Sequence, residues 1–206
     1  LIAIFLGTGL LADAFFVGFR IPNTFRRLFA EGTFNAAFVP SYSSELNKSK
    51  KNAELFANNI FNILFLSLLA IVFVIEIFMP LFVKLIAPGF TENSEKLETA
   101  INLTRITFPF LLFVSLSSFF SAILNSHNKF AAASATPIIL NIILILVLLF
   151  GKYLSDQLAY YLSYAVTFAG LVQLIFLIFF VKRYFVPKIS FKFKSDKKIK
   201  LFFKKL

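Results

Sequence analysis

Five charges sit inside a stretch otherwise apolar enough to cross a bilayer. In "ADAFFVGFRIPNTFRRLFAEGTFNAAFVP", residues 12–40, they are Asp13, Arg20, Arg26, Arg27 and Glu31. Each charge at a bilayer centre costs about 2.5–3.5 kcal/mol on insertion scales. With about 100° of turn per helical residue, Asp13, Arg20, Thr24, Arg27, Glu31 and Asn35 form one stripe about 80° wide. Arg26 falls off that stripe unless Pro22 shifts the helical phase. A polar stripe of this kind cannot face lipid, so it faces a protein interior or a water-filled cavity. Two uses remain open. The charges can neutralise one another, since Arg27 and Glu31 are four residues apart and able to pair. Alternatively, three arginines outnumbering two carboxylates line a cationic cavity for an anionic substrate, phosphate above all, which the planar guanidinium grips in bidentate fashion.

Acid–base and metal chemistry find little support in the rest of the chain. Its 206 residues include no Cys and one His, His127. That excludes disulfides, a Cys nucleophile and thiolate metal sites, and leaves a Ser-His-Asp triad or a zinc-hydrolase spacing almost nothing to use. Nucleotide-binding glycine loops of the GxGxxG or GxxxxGK[ST] kind are missing from the sequence, and nothing in it calls for a cofactor or metal. The formal net charge is +11, but ten of the 21 basic residues fall in 182–206, beside an apolar segment. A basic cluster at the end of a membrane span marks a cytoplasmic loop facing anionic lipid, not a nucleic-acid partner.

The elements that would position the charged stripe are membrane helices. Hydrophobic residues make up 59% of the chain and mean hydropathy is +0.84, beyond the 45–50% or so of a soluble domain. The 31 Phe against no Trp read as a compositional skew without functional weight. After a short apolar start, five long apolar segments run over about 10–39, 55–86, 101–124, 130–150 and 158–181. Each reaches the roughly 20 residues that a spanning helix needs. Pro22, Pro80, Pro109 and Pro137 fall near the middle or end of four of them and predict bends that neighbouring helices must accommodate. Loop charge sets an orientation: Lys48, Lys50 and Lys51, then Lys129, then the basic 182–206 alternate with the acidic 87–100 and the neutral 151–157. The basic connectors are therefore expected in the cytoplasm. The fold class expected is an all-α, polytopic integral membrane bundle over 1–181, followed by a basic cytoplasmic loop, 182–206, leading into a further span.

Other polar residues admit plainer readings. Arg105 snorkels to the interface or joins the site as a secondary residue, with Thr24 and Asn35. Glu76 is an interfacial carboxylate or an ion-coupling site. Asn141 and Gln173 are mid-span amides that bond neighbouring helices. Ser115, Ser117, Ser118 and Ser121 allow close helix packing.

Residues 12–40 closely resemble the second transmembrane helix of the MurJ (MviN) lipid II flippases. "APGF" (87–90), "TRITFPFLLFVSLSS" (104–118), "ILNSHNKF" (123–130) and "ATPIILNI" (135–142) resemble further signatures of that family, in order and spacing. The resemblance covers nearly the whole chain. It implies the N-terminal lobe of a multidrug/oligosaccharidyl-lipid/polysaccharide exporter-like fold, two lobes around a central cavity, in the bacterial inner membrane. It also implies a transporter, not an enzyme, that flips lipid II, the undecaprenyl-pyrophosphate-linked disaccharide pentapeptide. Arg20, Arg26 and Arg27 would meet its pyrophosphate or sugar acid, with Asp13 and Glu31 as cavity carboxylates. On that resemblance the chain is expected to begin near the end of a first span and stop near the start of a seventh. The alternatives are a flippase of another lipid-linked oligosaccharide or a drug exporter of the same superfamily. A cation exporter would favour carboxylates over arginine in its cavity. A membrane phosphatase would need a catalytic His or a metal-binding carboxylate cluster; a non-transporting membrane scaffold is the third class of reading. The coupling ion is not legible.

Overall fold

The computed structural model describes residues 2–190 apart from 8, 32 and 152–156; of residues 3, 21, 25–31 and 33 only the backbone is described. The described residues form helices α1 (Ile2–Leu6), α2 (Leu10–Glu31), α3 (Thr33–Lys48), α4 (Lys50–Ile77) and α5 (Met79–Ile86). A short 3-10 turn, Pro88–Phe90, leads to α6 (Ser94–Thr107), α7 (Phe110–Ser126), α8 (Phe130–Gly151) and α9 (Leu158–Val181). Side chains cap two of the starts: Ser49 accepts from the Asn52 amide at 3.1 Å and Asn93 from the Lys96 amide at 3.0 Å.

Three of the apolar segments are each two helices. Residues 10–39 hold all of α2 and the first part of α3, which continues to Lys48. The next segment begins at Lys50 and breaks at Phe78, two residues before Pro80. The third begins at Ser94 and is interrupted at Phe108 and Pro109. A proline has no N–H to give, and its ring crowds the carbonyl one turn earlier, so the second and third segments break beside Pro80 and Pro109. Pro22 and Pro137 nevertheless lie inside continuous helices. In each case a threonine replaces the lost donor. Thr107 Oγ1 donates to the Gly18 carbonyl from the neighbouring helix at 2.9 Å, and Thr136 Oγ1 donates to the Ala133 carbonyl within α8 at 2.9 Å.

Four helical stretches among the described residues are long and apolar enough to cross a membrane: Lys50–Ile77, Ser94–Ser126, Phe130–Gly151 and Leu158–Val181. α7 runs through the middle of the bundle, touching α2, α3, α4, α8 and α9, while α2 lies along α6. Large side chains such as Phe73, Leu81, Ile138, Leu149, Phe168 and Phe179 stay exposed on α4, α5, α8 and α9. On a soluble domain that would be an aggregation face; here it is the face for hydrocarbon.

Two apolar clusters fill the interior. One joins Phe15, Met79, Leu103, Phe108, Phe110 and Leu162 towards the α5–α6 end. The other is dominated by phenyl rings, with Phe38 edge-on to Phe119 at 5.1 Å and Phe119 edge-on to Phe120 at 5.4 Å. Rings in this arrangement gain contact energy beyond the area they bury. The phenylalanine content read as a skew therefore has a structural use here.

Beyond α9 the chain turns back and is strapped to α4. Phe185 is buried, and the extended backbone after it bonds two asparagines one helical turn apart. The Lys188 amide donates to Asn58 Oδ1 at 2.7 Å. Asn62 Nδ2 donates to the Lys188 carbonyl at 3.0 Å, and the Ser190 amide to Asn62 Oδ1 at 2.9 Å.

Candidate functional site

The charged helix is held against α6 by its smallest residue. A Cβ at Gly18 would stand 3.2 Å from the Thr104 backbone, tighter than the neighbour allows without moving. Glycine lets the two backbones meet, and the close approach brings Thr107 within reach of the Gly18 carbonyl. Thr104 and Thr107 are both fully buried at this contact.

The described members of the predicted stripe do not converge. Asp13 pairs with Lys96 of α6 at 2.5 Å and is half-exposed. Lys96 also sits 4.4 Å over the Phe90 ring. Asp13 lines a shallow pocket with Gly9, Asn93 and Lys96 at the α5–α6 end. Arg20 is exposed, and so is Thr24, whose hydroxyl donates to the Arg20 carbonyl at 2.9 Å. Arg105 is exposed in the last turn of α6. The side chains of Arg26, Arg27 and Glu31 lie outside the described residues. Glu76 Oε1 is buried in α4 with no hydrogen-bond partner.

A different face of α2 borders a groove that gathers several polar side chains. Phe19 and Asn23, not Arg20 and Thr24, line a groove of about 550 Å³ enclosed with α3, α7, α8 and α9. On the helical wheel Asn23 lies about 80° from Asp13, so the groove face is turned away from the predicted stripe. Asn35 of α3 is the one described stripe member that reaches the groove. Opposite it stand Ser117, Ser121 and Asn125 of α7 and Asn141 of α8. Gln173 of α9 also lines it, and its Nε2 donates to the Thr136 carbonyl at 2.8 Å. Ser117, Ser118 and Ser121, read as packing residues, are thus cavity residues as well, whereas Ser115 does not line the groove. Asn23 and Asn125 were missed, although a lone amide in an apolar segment was the available signal.

At the opposite end of the bundle from Asp13, three aromatic rings meet between helices. Tyr42 Oη and His127 Nε2 are 3.2 Å apart, and His127 stacks on Tyr184 with centroids 4.3 Å apart. Burial, then the charge of Glu54, pushes the Tyr42 phenol up to about 12, so it remains a donor. Burial, then the Lys50 ammonium, lowers the His127 imidazole below its usual range. The ring is therefore kept neutral, with Nε2 as acceptor and the proton assigned to Nδ1.

This architecture has known counterparts. The family model described as lipid II flippase MurJ matches residues 2–206. The chain belongs to the MurJ lipid II flippase family. It is 45% identical to the probable lipid II flippase MurJ of Rhizobium tropici, covering 84% of this chain and 34% of that protein. For the corresponding Rickettsia prowazekii protein the identity is 40%, with 88% of this chain and 36% of that one covered. The Aquifex aeolicus protein is 36% identical over 99% of this chain and 40% of its own length. A solved structure titled lipid II flippase MurJ, inward closed conformation, superposes with a TM-score of 0.79 at 28% identity, covering 98% of this chain and 41% of that one. The chain therefore spans about a third of the length of the curated MurJ relatives it matches, 34% and 36% of the Rhizobium tropici and Rickettsia prowazekii proteins. It is an all-α, multi-pass membrane protein with the architecture of part of a MurJ flippase.

Proposed function

We propose that this chain is the N-terminal lobe of a flippase that carries lipid II from the cytoplasmic to the periplasmic leaflet of the bacterial inner membrane, for cell-wall synthesis. One observation carries the reading. Arg20 is exposed in the middle of a helix that otherwise belongs to an apolar membrane bundle. A guanidinium there cannot face hydrocarbon, so it faces a polar passage or another part of the protein. A passage for a pyrophosphate-bearing head group needs such a cation, whereas a purely structural pair would be buried against its partner. Arg26 and Arg27 supply further positive charge on the same helix, with Glu31 as a balancing carboxylate. The mechanism is alternating access: the head group enters from the cytoplasm and two lobes rock about it. The chain then binds and moves its substrate without making or breaking a covalent bond.

The test uses the complete protein in cells depleted of their own lipid II flippase, measuring membrane protein level and lipid II export together. Arg20→Ala and Arg27→Ala should abolish export at near wild-type protein level. Arg27→Lys should restore it only partly, because a point charge does not replace the planar fork. Normal export by the Arg27→Ala/Glu31→Ala double variant would refute substrate binding and leave mutual neutralisation as the role of the pair.

A further inference from the structure

The break between α6 and α7 is gripped from two sides by the same pair of devices, a threonine hydroxyl and a glycine. On the α2 side a Cβ at Gly18 would stand 3.2 Å from the Thr104 backbone, and Thr107 Oγ1 donates to the Gly18 carbonyl at 2.9 Å. On the α9 side a Cβ at Gly170 would stand 2.5 Å from the Phe110 ring, and Thr167 Oγ1 donates to the Ile106 carbonyl. Residues 106 and 107 are thus tied in succession to α9 and to α2, immediately before the interruption at Phe108 and Pro109. Thr104, Thr107, Phe108 and Phe110 are all fully buried here, so water does not compete for the bond that Thr107 makes.

Thr107 has an alternative within its own helix. A threonine inside a helix ordinarily bonds the carbonyl one turn back. The Leu103 and Thr104 carbonyls stand at 3.1 Å, yet the shortest contact is the one to α2. Pro22 explains that choice of acceptor. It lacks the N–H that would have served the Gly18 carbonyl, its ring crowds that oxygen, and sharp helix bends almost always sit at such a proline. The arginines of α2 fall on both sides of this point, Arg20 before it and Arg26 and Arg27 after it. The backbone of the latter two lies about 6–8 Å along the axis beyond Pro22, so a change of about 20° in direction there displaces it by about 2–3 Å. Groups that share a ligand must be held to about 0.5 Å.

We infer that Thr107 is a positioning residue for the arginines of α2. It sets the direction in which the helix leaves Pro22, and Thr167 steadies the turn of α6 from which it acts. The inference rests on the flippase reading above, because the direction matters to function only if the arginines on either side of Pro22 share one anion. Thr107 acts through the backbone of α2 and not by contact with the substrate.

Complete protein in lipid nanodiscs, titrated with lipid II and melted without it, separates positioning from plain stability. Thr107→Val should weaken lipid II binding by about tenfold or more, as expected when one charge-assisted hydrogen bond is misaligned. Thr107→Ser keeps the donor and should bind as the wild type does. Pro22→Ala gives the Gly18 carbonyl an N–H from its own helix. The double variant Pro22→Ala/Thr107→Val should therefore recover the melting temperature that Thr107→Val loses. It should still bind lipid II no better than Thr107→Val, because the carbonyl is satisfied and the direction is not. Binding that returns together with the melting temperature, a melting temperature that does not recover, or wild-type binding by Thr107→Val would each overturn the positioning role while leaving the flippase reading in place. Wild-type protein that binds no lipid II would overturn both. Should Thr107→Val fail to fold, Pro22→Ala alone decides. It should melt at or above the wild-type temperature and bind about tenfold more weakly, and wild-type binding by it would overturn the proposal.

Discussion

Thr107 on α6 gives its hydroxyl proton to the Gly18 carbonyl of α2 at 2.9 Å, the carbonyl that lies one turn before Pro22. The same oxygen lies 3.1 Å from the Leu103 and Thr104 carbonyls of its own helix, so the bond between helices is the shortest. Because Pro22 has no N–H, this bond replaces the one the helix lost, and it is made in a place water does not reach. Thr107→Val keeps the shape and removes the donor. The complete protein should lose about 0.6–1.7 kcal/mol of stability, the range found for hydrogen bonds between membrane helices. Thr107→Ser should keep most of it. Thermal melting of the purified variants is the check, and a Val variant as stable as wild type would remove the bond from the account of α2.

The Tyr42–His127–Tyr184 contact predicts acid sensitivity. Burial holds the His127 imidazole below its unfolded value of 6.5, so the unfolded chain takes up a proton first. Stability from the neutral ring is complete above pH 6.5 and is lost as pH falls through the depressed folded value. Protonation would also turn Nε2 into a donor facing the Tyr42 hydroxyl, beside the Lys50 charge. Melting temperature followed from about pH 8 to about pH 5 should fall in the wild type and fall less steeply in His127→Phe. Parallel curves would show that other groups set the acid limit.

Loop charge orients the bundle, and single cysteines test it. Tyr42, Lys50, His127 and Tyr184 share one end of the molecule, while Asp13, Asn93 and Lys96 share the other. In a cysteine-free version of the complete protein, an impermeant thiol reagent on intact cells should label Asn93→Cys and spare Lys50→Cys and Asn128→Cys. Labelling of the Lys50 position would invert the topology.

The strap on α4 should be visible in amide exchange. Asn62 is 3% exposed and holds the Lys188 carbonyl and the Ser190 amide. Asn62→Leu keeps the volume and removes both bonds. Exchange at Ser190 should speed up by about tenfold or more, as expected when one hydrogen bond of ordinary strength is lost. An unchanged rate would mean that burial of Phe185 alone secures the segment.

Much of the architecture is legible in the chain because membrane helices announce themselves. Leu158–Val181 carries no charged residue and is flanked by polar residues, so length and hydropathy suffice to see it. The interruptions are harder. Pro22 and Pro137 sit inside helices while Pro80 and Pro109 sit at breaks. For Pro22 the difference rests on Thr107, a residue remote in sequence, and no local rule contains it. For Pro137 the rescue is the adjacent Thr136, which was open to reading. The charged stripe was legible as a set of residues, but the neighbours its members meet were not. Asp13 finds Lys96 across 83 positions, and the groove takes the face with Asn23. A helical wheel gives relative directions on one helix and says nothing of which neighbour stands at which angle. The groove itself was spread over single serines and amides in separate segments, each harmless alone, and only packing brings them together.

A rope reaches only as far as its free length, and it pulls on the cleat to which it is made fast. Asn58 and Asn62 are that cleat. The stretch between Val181 and Ser190 adds no slack to the connection between this lobe and the chain beyond it, because its backbone is already bonded to α4. Any tension carried along the chain past Ser190 is delivered to the side of α4, not to the end of α9. A rocking motion of the lobe would drag its neighbour from that point, and loosening the two asparagines would lengthen the leash without changing a single residue of it.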